Sequence, residues 1–121
     1  MSDNKTILCV DDEADILDLF NEEFEDCGFN VLTAGSGNIA LKLIKNHDID
    51  CIVSDIHMDD GDGVTLVKEV KALGKKIPIF LITGFSDYTA DELTGLGVKA
   101  VIFKPFDLEE VVQMVSATVR K

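Results

Sequence analysis

Apolar residues fall into two alternating patterns along the chain: short unbroken runs, and longer segments with helical spacing. Thr6-Ile7-Leu8-Cys9-Val10 is the first run, and Phe29 to Ala34 reads as a second strand. Cys51-Ile52-Val53-Ser54, Ile79-Phe80-Leu81-Ile82 and Ala100-Val101-Ile102-Phe103 follow, with Pro78 opening the fourth strand. Unbroken runs of this length suit parallel strands buried on both faces. The segments between them carry helical stripes. From Ala14 to Cys27, the residues Ile16, Leu17, Phe20, Phe24 and Cys27 share a stripe that Gly28 ends. Ser36 is placed to cap a second helix whose apolar positions are Ile39, Ala40, Leu43 and Ile44. A third helix is predicted near Val64 to Leu73, with Lys71 in its last turn and Gly74 after it. The weakest, Asp87 to Leu96, has only Tyr88, Ala90, Leu93 and Leu96 apolar. Asp107 is placed to cap a fifth helix bearing Leu108, Val111, Val112, Val115 and Val119.

Five strand–helix alternations imply right-handed crossovers and a parallel sheet covered on both faces. The predicted fold is a doubly wound, five-stranded α/β domain over residues 1–121, flavodoxin-like, with strand order 2-1-3-4-5. In that order the first and third strands are neighbours, and the topological switch point lies between their carboxyl ends.

Four of the runs end in residues suited to phosphoryl chemistry. The first runs into Asp11-Asp12, the third into Asp55, the fourth into Thr83 and the fifth into Lys104-Pro105. On a parallel sheet these residues share one edge, where open α/β sheets bind ligands. Three carboxylates that close repel one another and raise at least one pKa. A hard divalent cation such as Mg²⁺, or Mn²⁺, relieves the repulsion. One carboxylate can then act as nucleophile on a phosphoryl group while the metal neutralises developing charge. Lys104 is a point-charge partner for a phosphoryl oxygen, Thr83 a hydroxyl donor to another, and Gly84 leaves room for the group to enter. No GxxxxGK[ST] or GxGxxG follows a strand, which excludes nucleotide cradling by those routes.

Composition narrows the class. A chain of 121 residues, 46% hydrophobic, is long enough to bury one core. No stretch approaches the ~20 apolar residues of a membrane span, and Met1-Ser2-Asp3-Asn4-Lys5 is not a signal peptide. A cytoplasmic location is therefore expected. A net charge of -12 argues against direct nucleic-acid binding. Cys9, Cys27 and Cys51 have no metal-site spacing, and Cys9 and Cys51 sit inside predicted strands, where a thiol is a small buried hydrophobe.

With those residues in place the sequence resembles a response-regulator receiver domain, the CheY-like phosphoacceptor module of two-component signalling, over essentially its whole length. The resemblance rests on the ordered set Asp-Asp, Asp, Thr and Lys-Pro at the ends of strands one, three, four and five. It implies that Asp55 is the phosphoacceptor and that Asp12 and Asp55 ligate Mg²⁺. Asp11 would act mainly through a metal-bound water, with the His57 backbone carbonyl completing the protein ligands. It makes Thr83 the switch hydroxyl and Lys104 the phosphate-pairing residue, with a cis Lys104-Pro105 bond. Thr83, Val101, Lys104 and Pro105 then form the switch, read out around helix 4, strand 5 and helix 5. The implied partners are a sensor histidine kinase or histidine phosphotransfer protein, and an output domain or downstream protein outside this chain. No membrane partner is implied, and the state is a monomer or a phosphorylation-dependent dimer. The sequence departs from the family at Met58-Asp59, where Met-Pro is usual, while Asp62-Gly63 fit the family's Asp-Gly. Val101 stands where the family often has Tyr or Phe. The chain ends at Lys121, just after the fifth helix, so the expectation is a receiver without its output domain, either free-standing or cut from a longer protein.

The same residues also carry other readings. Singly, Asp11 and Asp12 read as caps of the first helix, Asp55 as a turn residue, Thr83 as a strand end and Lys104 as a solvated charge. His57 reads as solvent-facing in preference to a transition-metal ligand, and His47 as a surface residue near a helix end. Met58, Asp60, Asp62, Gly63 and Glu69 fall at EF-hand positions, but a strand precedes the loop where a helix is needed. An aspartyl-nucleophile phosphohydrolase would want a second acid at His57 and a cap insertion. A scaffold that binds partners without phosphorylation is the remaining alternative. Ile16 and Leu19 lie at the edge of the first helix's stripe or beyond it, and are predicted to be partly exposed and to help dock a kinase. With only Val101 on strand five, the switch signal is expected to travel through the loop from Gly84 to Asp87 and the helix after it, with Phe85 or Tyr88 changing environment.

Overall fold

The computed structural model describes residues 4–58, 62–84 and 89–120. Five parallel strands, β1 (Thr6–Val10), β2 (Asn30–Ala34), β3 (Cys51–Asp55), β4 (Ile79–Thr83) and β5 (Ala100–Phe103), form one sheet in the order β2-β1-β3-β4-β5. The helices are α1 (Ala14–Asp26), α2 (Gly37–Asn46), α3 (Gly63–Ala72), α4 (Ala90–Thr94) and α5 (Leu108–Val119). Strand order and class are those that the alternating pattern predicts.

Side chains alternate across the sheet and divide the core in two. Leu8, Val10, Ile52 and Leu81 pack with Ala40 and Ile44 of α2, Val67 and Val70 of α3, and Leu93 of α4. Ile7, Cys9, Val53, Phe80 and Ile82 pack on the other face with Phe20 and Phe24 of α1 and Val111, Val112 and Val115 of α5. Every residue of β3 and β4 is buried, so the two strands that carry Asp55 and Thr83 are the most enclosed in the sheet. Cys9 and Cys51 are free, buried thiols, and burial pushes the Cys51 thiol up to about 12 and the Cys9 thiol higher still. Both are inert at neutral pH.

Three local expectations are corrected. The fourth helix is shorter than the predicted span of Asp87 to Leu96. It begins after Thr89, whose hydroxyl accepts from the Glu92 N–H while the Glu92 carboxylate accepts from the Thr89 N–H, a reciprocal capping box. Only five residues follow before Gly95, and Leu93 is its buried anchor. Ile39 does not share the buried stripe of α2 and is 49% exposed, because it lies in the first turn, beyond the line of Ala40 and Ile44. Phe29 precedes β2 and donates its N–H to Phe24, ending the turn after α1. Ser36 and Asp107 cap α2 and α5 as predicted, accepting from the N–H groups of Ile39 and Glu109. Asp59, Asp60, Gly61, Phe85, Ser86, Asp87 and Tyr88 lie outside the described residues. All of the expected switch loop after Gly84, and part of the EF-hand reading, therefore lie there too. Of that reading, Asp62 caps α3 by accepting from the Thr65 N–H, and Glu69 lies within the helix it starts.

Candidate functional site

Parallel register brings the strand ends together. Val10 pairs with Ser54, Asp55 with Ile82, and Thr83 with Phe103, so the next residues of β1 and β5 extend beside Asp55 and Thr83. Ligand-atom oxygens of Asp11, Asp12 and Asp55 all lie within 4.8 Å of one another. Asp11 and Asp55 are buried and Asp12 is exposed, so the cluster opens to solvent on the Asp12 side. Lys104 reaches across from the end of β5 and places Nζ 3.3 Å from Asp55 Oδ2. The other carboxylate oxygen of Asp55 accepts the Ile56 N–H at 2.8 Å. One oxygen of Asp55 is therefore held by backbone and the other faces a cation.

Asp11 does not serve as the N-cap residue of α1. That position is Glu13, whose own side chain makes no cap bond, while Asp11 Oδ1 accepts the Glu13 N–H at 2.8 Å. The bond holds the carboxylate at the end of β1, within the acidic cluster. Burial raises the Asp11 pKa to about 6; the Glu13 N–H opposes that rise, and Asp55 adds to it. Three hard oxygen donors, one of them disfavoured as an anion when metal-free, fit Mg²⁺ better than a soft transition metal.

Thr83 is 1% exposed, and its Oγ1 has no hydrogen-bond partner among the described residues. A buried hydroxyl left unpaired is costly, and such groups concentrate where a ligand completes them. The backbone around it is well tied, since the Lys104 N–H donates to Thr83 O at 2.9 Å. His57 lies just past the cluster with its side chain exposed, and its imidazole is no part of the carboxylate group. Val101 pairs with Leu81 at mid-strand and is half-buried against the α2–α3 side of the core. The Lys104-Pro105 peptide is cis. Pro105 lines an open groove of about 580 Å³ with Ile16, Leu19, Phe20, Phe106 and Leu108. Within it Ile16 is half-buried and Leu19 is 49% exposed.

Several supporting residues had no sequence-based assignment. Ser54 is fully buried and donates its hydroxyl to Asp55 O at 2.8 Å. Gly63 donates its N–H to Ile56 O, and a Cβ there would lie 2.5 Å from Asp55 O, so α3 can start this close to β3 only from glycine. The signal for Gly63 was present, since Asp62-Gly63 matches a family pattern, but its steric reason was not. Phe106, just past the cis bond, stacks on Phe20 with centroids 5.7 Å apart and anchors the loop that follows Lys104. An alternating apolar stripe contains no trace of that contact.

Fold and site together define a class: a doubly wound parallel sheet whose switch point holds an acidic cluster paired with a lysine. The chain belongs to the response regulator receiver domain family, which it matches over residues 7–116. It is 35% identical over 120 residues to the alkaline phosphatase synthesis transcriptional regulatory protein PhoP of Bacillus subtilis, covering 98% of this chain and 50% of that protein. Over 110 residues it is 33% identical to the transcriptional regulatory protein ZraR of Escherichia coli, covering 90% of this chain and 25% of that protein. It thus spans a quarter to a half of the length of these relatives. Among solved structures it is similar to the response regulator protein TrrA of Thermotoga maritima in complex with Mg²⁺ and BeF, at 32% identity and a TM-score of 0.83, covering 94% of this chain and 98% of that one. Among the described residues, no helix is long and apolar enough to cross a membrane.

Proposed function

We propose that this receiver takes a phosphoryl group from a phosphohistidine, on a sensor histidine kinase or histidine phosphotransfer protein, onto Asp55. The observation that carries the reading is the buried Thr83 hydroxyl, unpaired among the described residues, at the strand end next to a carboxylate already paired with Lys104. A scaffold that only binds partners has no use for that arrangement, whereas a phosphoryl oxygen would complete it. Asp11, Asp12 and Asp55 would hold Mg²⁺, with the His57 carbonyl as a further ligand. The bound ion would neutralise charge on the phosphoryl oxygens.

The step is an in-line displacement. Asp55 Oδ2, the oxygen facing Lys104, attacks phosphorus, and the P–N bond to the donor imidazole breaks as the O–P bond forms. The nitrogen keeps the bonding pair. Lys104 shifts its charge from the carboxylate to the phosphoryl oxygens, and the Thr83 hydroxyl donates to another of them. Drawing the Thr83 side chain inward and pulling on Lys104 changes both strand ends that support α4 and β5. This is the route by which the phosphoryl state would reach an output surface around α4, β5 and α5. The partner of that surface lies outside this chain.

Acetyl phosphate with Mg²⁺ tests the chemistry without a kinase. The intact mass should rise by one phosphoryl group, chelation of the metal should prevent the rise, and Asp55→Asn should abolish it. Equal labelling of wild type and Asp55→Asn would remove Asp55 from the role.

A further inference from the structure

Acids outnumber bases 23 to 11 in this chain, yet Lys71, Lys75 and Lys76 fall close together with no acid between them. The fold gathers them at the edge of the sheet opposite the acidic cluster, where α3 ends and β4 begins. They line an open cleft of about 500 Å³ with Val70, Ile77 and Pro78, and the Gly97 turn before β5 closes its far side. No carboxylate lines the cleft, and among the described residues none of the three ammonium groups is in an ion pair. Lys71 reaches across from α3. Its Nζ lies 2.6 Å from where a Cβ on Gly97 would stand, a space kept open by a glycine whose φ of +86° favours it. The N–H groups of Lys75, Lys76 and Ile77 also donate to no acceptor among the described residues. Complementing the carbonyl end of α3 accounts for Lys71 but not for Lys75 and Lys76, which lie beyond the helix.

We infer that this cleft is an anion site, separate from the acidic cluster, for a small ligand carrying two or more phosphate groups. Its volume falls in the ~300–1,000 Å³ range of small-ligand pockets. Three ammonium groups and three unpaired N–H groups offer donors without a competing carboxylate. An ammonium is a point charge suited to phosphate oxygens, whereas planar carboxylates are matched best by arginine forks, and no arginine lines the cleft. The walls are aliphatic and present no aromatic ring or side-chain amide to a nucleobase, so the phosphates themselves are what the cleft reads. The net charge of -12 does not forbid an anion here. Five residues of β4, about 16 Å at ~3.3 Å each, separate the cleft from the acidic edge. That distance exceeds the Debye length of ~8 Å at physiological salt, so the lysines dominate the local field.

The test is a ¹H–¹⁵N NMR titration of the full chain with sodium tripolyphosphate, at low salt and with divalent metal chelated. Saturable shifts should appear at the Lys71, Lys75, Lys76 and Gly97 amides. Lys75→Ala and Lys76→Ala should each weaken binding about fivefold, the effect of one unit charge at ~4 Å in water. Lys42→Ala, on α2, should leave the affinity unchanged, and added salt should weaken binding throughout. ATP should bind no more tightly than tripolyphosphate and adenosine should cause no shift; tighter binding of ATP would overturn recognition by phosphate alone. No saturable shift at the cleft, equal shifts at the Lys42 and Lys45 amides, or wild-type affinity in both lysine variants would overturn the site. Shifts confined to the amides around Lys104 would overturn it too, by sending the anion to the other edge of the sheet. Acetyl phosphate labelling of Lys75→Ala and Lys76→Ala should match wild type, and its loss would overturn the separation of the two sites.

Discussion

Replacing Asp11 by Asn should stabilise the metal-free protein, although it removes a residue placed at the metal site. Asp11 is 3% exposed, and burial is the main reason its pKa rises from the ordinary value near 3.8 to about 6. The neighbouring Asp55 adds to the rise, while the Glu13 N–H and Lys104 oppose it. In the folded state the group therefore keeps its proton to higher pH than in the unfolded chain. Its favourable contribution is fully present below about pH 4 and is lost as pH rises through about 6. Above that, its charge destabilises the fold by ~3 kcal/mol, two decades of proton affinity at 1.36 kcal/mol each. Asparagine stays neutral and its side-chain oxygen can still accept the Glu13 N–H. Urea unfolding in the presence of a chelator should show Asp11→Asn more stable at pH 7.5 by about 2–3 kcal/mol, with the difference falling to about 0.5 kcal/mol at pH 4. Millimolar Mg²⁺ should narrow the gap at pH 7.5, because ligand binding stabilises the wild type more than a variant with one carboxylate fewer. A variant no more stable than wild type at pH 7.5, or a gain unchanged at pH 4, would refute the burial argument.

Three further outcomes follow from particular contacts. Leu19→Ala and Ile16→Ala, on the rim of the groove beside Pro105, should slow phosphotransfer from the cognate kinase while leaving acetyl phosphate labelling intact; an unchanged transfer rate would remove docking from that groove. Arg120 donates to Cys27 O and lies 4.3 Å over the Phe29 ring, so Arg120→Ala should lower stability by about 1–2 kcal/mol in chemical unfolding, and no loss would show the clamp to be idle. With a beryllofluoride phosphoryl mimic, amide exchange should change in the short helix α4 around Leu93, whereas changes confined to the segment around Val101 would reverse that route.

The carboxylates, Thr83 and Lys104 were legible because buried parallel strands write themselves as apolar runs, and the residue after each run must emerge at one sheet edge. Asp11, Asp12 and Asp55 meet for that reason, as does Lys104. The start of α4 was legible too, in Thr89 and Glu92 three residues apart, but the apolar stripe there is too sparse to direct attention to it. Gly63 and Gly84 are different. A Cβ on Gly63 would lie 2.5 Å from the Asp55 carbonyl oxygen, and one on Gly84 would press on the Lys104 stem. Steric demands of that kind have no period and no local signature. The bond from Arg120 to Cys27 spans 93 residues and is equally silent in the sequence.

On phosphoryl transfer the Asp55 carboxylate should become an acyl phosphate. Borohydride reduction after acetyl phosphate treatment converts an aspartyl phosphate to homoserine, and peptide mass mapping locates the converted residue. Homoserine at position 55, dependent on Mg²⁺ and on the phosphodonor, is the predicted result. Homoserine at Asp11 or Asp12, or no conversion in a protein that binds Mg²⁺, would contradict it.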